Sequence, residues 1–128
     1  MAKEHLQGEQ LEMFMPAHRL MDIESGDTAV TSEGDQQSLN EDYDMYQTKL
    51  NEAKTGNMRD ARVESDNPRF TLYSSIKKHG INNPVSIGWT YDGRHTIWDG
   101  NHRVATAYDI DPNTEVPVTY TLARDWMS

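Results

Sequence analysis

A chain of 128 residues with a formal net charge of −9 and no cysteine fits one ordinary globular domain and leaves no room for two substantial cores. The missing cysteine excludes disulfides, thiolate metal sites, a cysteine nucleophile and thiol redox cycling. Residues 1 to 66 hold 15 Asp or Glu against 6 Lys or Arg, while residues 67 to 128 hold 6 of each. An acidic first half disfavours generic duplex DNA binding, which depends on basic groups displacing condensed counterions.

The start, Met1 to Glu9, is polar where a signal peptide needs an apolar stretch, and no later run is long enough to span a bilayer. A cytoplasmic location without a membrane partner is the expectation. Residues 1 to 14 are assigned to a flexible N-terminus and 15 to 122 to the domain, with Leu11, Met13 and Phe14 leading into a short edge strand near Pro16. Proline cannot donate to a ladder, which argues against a central strand there. Residues 24 to 38 are rich in Ser, Thr, Gly, Asp and Gln without apolar periodicity, which predicts a mobile loop.

Ser38 followed by Glu41 reads as a capping box, and Tyr43, Tyr46, Leu50 and Ala53 follow at helical spacing. These residues predict a helix over 39–55 that buries its tyrosines and stops at Gly56-Asn57 before a charged linker to Asp66. A second helix is predicted over 68–79, from Pro68 through Leu72 and Ile76 to a Gly80 cap, with Lys77, Lys78 and His79 at the end that favours positive charge.

The pattern then changes to alternation. Val85, Ile87 and Trp89, the Asp92-Gly93 pair, and His95 and Ile97 predict a hairpin whose inward face includes Trp89. Asp99-Gly100 ends its second strand. A helix begins near Asn101 with Val104, Ala105 and Tyr108 on one side. Val116, Val118 and Tyr120 form a last strand bracketed by Pro112 and Pro117, before a tail at 123–128. The fold class is α/β, an α+β mixed sheet in a single domain.

Chemistry-bearing residues concentrate at Asp99-Gly100-Asn101-His102-Arg103. Glycine between a strand and a helix lets backbone N–H groups approach an anion at the favourable end of the helix, so phosphate is a natural occupant. Arg103 can make a two-pronged contact, and His102 can donate a hydrogen bond or exchange a proton near neutral pH. Asp99 can orient a base or hold a divalent ion. Strand-glycine-helix junctions are common, and the same residues can instead serve only structure.

From Leu72 and Ser75-Ile76 through Gly80-Ile81-Asn82-Asn83-Pro84-Val85, Asp99-Gly100-Asn101-His102-Arg103 and Val116-Pro117-Val118, the chain resembles the ParB/sulfiredoxin superfamily, closest to small phage-encoded ParB-like nuclease-domain proteins. A weaker likeness extends to Met15-Pro16-Ala17-His18-Arg19-Leu20. The resemblance implies a ParB-N/sulfiredoxin-like fold and a nucleotide-phosphate contact at Gly100, Asn101, His102 and Arg103. Gly100 and Arg103 retain the glycine and second arginine of the Gly-Glu-Arg-Arg box of ParB proteins, while Asn101 and His102 replace its glutamate and first arginine. Sulfiredoxins place their catalytic cysteine where Asn101 stands, and asparagine cannot act as a sulfur nucleophile. No sequence after Ser128 supplies the DNA-reading helical domain of ParB.

The leading expectation is therefore a ParB-like protein that binds a nucleotide or phosphate at Gly100 to Arg103, with residual phosphoryl-transfer or nuclease activity. His102 and Asp99 are the catalytic candidates. Magnesium is a possible cofactor, for which Asp99 and Asp92 are the nearest acidic residues, and two converging oxygens are required. The alternative is a non-catalytic phage protein that binds and modulates a bacterial host protein, using the acidic first half for steering and Trp89, Trp98 or Trp126 as anchors. A DNA-binding accessory factor is the second alternative.

Overall fold

The computed structural model describes residues 10–26, 28, 36–55, 71–89 and 94–122. Five strands and four helices follow in the order β1 (Gln10–Pro16), α1 (Ala17–Leu20), β2 (Glu24–Ser25), α2 (Tyr43–Thr55), α3 (Leu72–His79), β3 (Val85–Trp89), β4 (His95–Asp99), α4 (Asn101–Ile110) and β5 (Glu115–Leu122). They build one mixed sheet in the order β1-β5-β3-β4-β2, as the α/β reading requires. β1 runs antiparallel to β5, β5 parallel to β3, β3 antiparallel to β4, and β4 parallel to β2.

Register explains the core. Val85 lies beside Val118, Ile87 beside both Tyr120 and Ile97, and Met15 beside Val116, so these side chains share one sheet face. They are buried together with Ala17 and Leu20 of α1, Met21, Leu39, Tyr46 and Leu50 of α2, and Val104, Ala105 and Ala107 of α4. Fully burying one leucine or valine stabilises such a core by about 1.5 to 3 kcal/mol. A smaller cluster of Ala53, Leu72 and Ile76 attaches α3 to α2.

Several expectations need correction. Residues 10 to 14 belong to β1 rather than to a flexible terminus, because the ladder with β5 begins at Gln10. The expected mobile loop at 24–38 is tied down at both ends. Glu24 and Ser25 form β2, Ser25 N donates to Gln37 O at 2.9 Å, and Glu24 bridges to Ser38. Residues 27 and 29–35 lie outside the described residues.

The helix expected over 39–55 starts at Tyr43. The Ser38 and Glu41 capping contacts do form, at 3.2 and 2.9 Å, but they close a separate turn, and Asp42 Oδ1 then accepts from Met45 N at the helix start. Tyr46 is buried as expected, whereas Tyr43 is 63% exposed. The helix expected over 68–79 is described from Leu72, capped by Thr71 and Ser74 in a reciprocal pair. Pro68, Gly56, Asn57 and the tail at 123–128 lie outside the described residues.

β3 and β4 pair as the hairpin reading requires, while its turn at Asp92-Gly93 lies outside the described residues. Trp89 is not core: it stands at the end of β3 and is 38% exposed. Pro117 lies within β5 rather than bracketing it. Pro117 lies opposite Phe14 of β1, and pairing with β3 begins only at Val118.

The β3–β4 register slips just before the loop of interest. Ser86 pairs with Asp99 and Ile87 with Ile97, which leaves Trp98 as the extra residue of a bulge. Its indole crosses Gly88, where a Cβ atom would sit 1.9 Å from the ring. Only glycine lets the bulged tryptophan lie flat there.

Candidate functional site

The bulge and Gly100 together turn β4 into α4. Gly100 has φ +108°, a conformation that L side chains rarely adopt, and a Cβ there would meet Val85 Cγ2 at 3.0 Å and Val85 Cα at 3.2 Å. Glycine is thus demanded twice, by the turn and by the close approach of β3. α4 starts at Asn101 with no side-chain cap from Gly100, so its first-turn N–H groups present a positive end.

Asp99, Gly100 and Arg103 converge. The Arg103 side chain is 12% exposed, and Nη1 donates to Asn83 O at 2.8 Å and Pro84 O at 3.2 Å. Nη2 pairs with Asp99 Oδ2 at 3.3 Å, and the Asp99 side chain is 71% exposed. A Cβ on Gly100 would lie 3.3 Å from Arg103 Nη2, which places the guanidinium directly over the start of α4. Two carbonyls therefore fix a cation where the helix already favours negative charge.

Asn101 and His102 diverge from that point. Successive residues of a helix are rotated by about 100°. Asn101 is 4% exposed, and its Oδ1 accepts from Ser25 Oγ at 2.7 Å, which ties β2 to α4. His102 Nε2 meets Glu52 Oε1 at 2.8 Å, which ties α2 to α4. The four-residue box thus splits into a pair that meets at the turn, Gly100 and Arg103, and two residues that fasten neighbouring elements. Asp92 lies outside the described residues, and among those described no group of three or more His, Asp or Glu side chains is close enough to hold a metal.

Sequence reasoning missed Ser25, Glu52 and the Asn83 and Pro84 carbonyls. The first two are 76 and 50 residues from their partners, and no local pattern announces them. Compared with known proteins, the chain matches no family model, no curated protein and no solved structure. Among the described residues, no helix is long and apolar enough to cross a membrane.

Proposed function

We propose that the protein binds a small phosphate-bearing ligand at the junction of β4, Gly100 and α4, a nucleotide being the class that resemblance to the ParB/sulfiredoxin superfamily implies. One observation carries this reading: Arg103 is held by two loop carbonyls over the start of α4, to which Gly100 gives no side-chain cap, and its other edge faces an exposed carboxylate. Asp99 stands where a ligand oxygen would stand. Exchanging that carboxylate for phosphate keeps the guanidinium in place, so little reorganisation opposes binding. Residual phosphoryl-transfer or nuclease chemistry belongs to the same reading, with Asp99 as the proton-transfer candidate at the loop, because His102 turns away to Glu52, and is to be measured apart from binding.

Calorimetric titration of inorganic phosphate and a nucleotide panel, with and without magnesium, tests the reading. Wild type should bind, and Asp99→Asn should bind more tightly because a competing anion is gone. Arg103→Ala should weaken binding by roughly 10-fold to 150-fold, the equivalent of a lost charge-assisted hydrogen bond. Lysine should rescue only in part, since an ammonium lacks the planar fork. Circular dichroism separates lost binding from lost structure. Failure of wild type to bind any of these ligands, or equal binding by a folded Arg103→Ala protein, rejects the site.

A second reading, attachment to a bacterial host protein, is favoured by the edge strand β1, where Leu11, Met13 and Phe14 are 52%, 37% and 67% exposed. Capture from a bacterial extract that Leu11→Lys with Phe14→Lys abolishes would support it.

A further inference from the structure

The end of the sheet away from Gly100 carries a second set of converging groups. His95 opens β4 and Asp99 closes it. The two ends are about 13 Å apart at the rise of an extended strand. There Met15, Arg19, Asp22, Ile23, His95 and Tyr120 line a cleft of about 350 Å³. A smaller cleft of about 200 Å³, lined by Leu11, Trp89, Tyr120 and Leu122, shares Tyr120 as its wall. One half is polar and the other apolar.

The polar half holds a cation with no partner of its own. Among the described residues Arg19 makes no ion pair or side-chain hydrogen bond, and it lies close enough to Tyr120 to favour phenolate, against the larger opposing effect of burial. Tyr120, 8% exposed, keeps its proton because burial raises its pKa. Its hydroxyl lies 3.3 Å from His95 Nδ1. When His95 donates that bond, the phenol proton is left to point into the cleft. Asp22 sits on the same wall and accepts from Asn40 Nδ2 at 2.5 Å. One guanidinium without an ion pair among the described residues offers a single cationic contact, and the carboxylate beside it opposes a highly charged phosphate.

The apolar half is aromatic. The Trp89 ring lies 5.8 Å from His95 with 34° between the planes, and His95 meets Tyr120 edge-on at 5.5 Å. Trp89 remains 38% exposed, which leaves indole surface for a planar body to cover. We infer that this paired cleft is a second binding site, for a small aromatic monocarboxylate whose carboxylate meets Arg19 and Tyr120 and whose ring packs on Trp89. The two clefts adjoin at Tyr120, and the larger alone has the volume of an ordinary small-ligand site. The inference does not depend on phosphate binding at Gly100.

The test is a two-dimensional amide and indole N–H NMR titration of the whole chain with benzoate and indole-3-carboxylate. Their neutral amides and adenosine monophosphate serve as the charge controls. The carboxylates should shift the resonances of Arg19, Trp89 Nε1–H, His95 and Tyr120. The amides should bind about tenfold more weakly or worse, as loss of a charge-assisted contact requires. Arg19→Gln, at an exposed position, should cost the carboxylates a similar factor while its spectrum stays dispersed. Trp89→Leu should also weaken them, and Asp22→Asn should tighten them. Shifts centred on residues 100 to 103, equal binding of amides and carboxylates, or an unaffected Arg19→Gln protein would each overturn the assignment, as would no binding at all.

Discussion

At the scale of single residues, the centre of α4 contains an unusual choice. Thr106 is fully buried, and its Oγ1 has no hydrogen-bond partner among the described residues. A hydroxyl taken out of water without a partner costs about 1 to 3 kcal/mol, and valine replaces it at nearly the same shape. Thr106→Val should therefore stabilise the protein by about 1 kcal/mol, raising the thermal midpoint by roughly 2 to 8 °C. Thermal denaturation followed by circular dichroism measures this directly, and a fall in the midpoint would mean that the hydroxyl makes a bond in solution. Gly100 is the contrasting case. The strand-to-helix break marks it in the sequence, yet the tight contact with Val85 that also demands glycine comes from β3 and leaves no local trace.

Among the elements, the three longer helices are joined by tyrosines as well as by aliphatic packing. Tyr46 of α2 meets Tyr108 of α4 edge-on at 5.9 Å, and Tyr73 of α3 donates to Asp109 of α4 at 2.8 Å. Lys54 of α2 lies 3.8 Å from Asp109 and 5.1 Å from the centre of the Tyr73 ring. Burial pushes the Tyr46 phenol up to about 12, helped by the Asp109 carboxylate and the neighbouring tyrosines. The unfolded chain loses this proton near pH 10, and the folded one holds it to about 12. The folded state thus binds more protons across that window, and the stability linked to Tyr46 is present below pH 10 and falls as pH rises toward 12. Denaturant midpoints measured from pH 8.5 upward should decline more steeply for wild type than for Tyr46→Phe, and parallel profiles would rule out this linkage. Tyr120 and Tyr73, whose values are raised as well, contribute in the same direction to the slope that remains in Tyr46→Phe. Such elements were legible where their signals are local. Apolar spacing marked the buried faces of α2 and α3, Gly80 marked a helix end, and alternation marked β3 and β4. Boundaries slipped where two local bonds competed, as at Ser38 and Asp42. Trp89 was misplaced because alternation reports the face of a strand but not where the sheet ends. The link from Asn101 to Ser25 was invisible for a different reason: β2 has only two residues, too few to show a period.

For the whole molecule, charge is the property that sequence and structure share most directly. The acidic excess lies in residues 1 to 66, and the described lysines and arginines of that half are Arg19, Lys49 and Lys54: Lys54 faces Asp109 and Tyr73, while Arg19 lines the cleft with Asp22. Of the described cations in the second half, Arg94 pairs with Glu24 at 2.6 Å and Arg103 with Asp99 at 3.3 Å, so two of its arginines are matched by carboxylates. Lys77 and Lys78, exposed at the end of α3, add positive charge beside His79 but form no extended basic stripe along the sheet. Duplex affinity grows with the number of phosphates neutralised, and a net charge of −9 adds long-range repulsion to that shortage of free cations. The intact protein should therefore show no saturable binding to random-sequence duplex DNA at micromolar concentration and physiological salt. Fluorescence anisotropy of a labelled duplex checks this, and lowering the salt should recover little, because the Debye length then grows and the repulsion reaches further. Tight binding that weakens steeply with added salt would contradict this reading. It would require basic groups outside the described residues to gather on one surface, and would move the DNA-binding alternative ahead of a small phosphate ligand at Gly100.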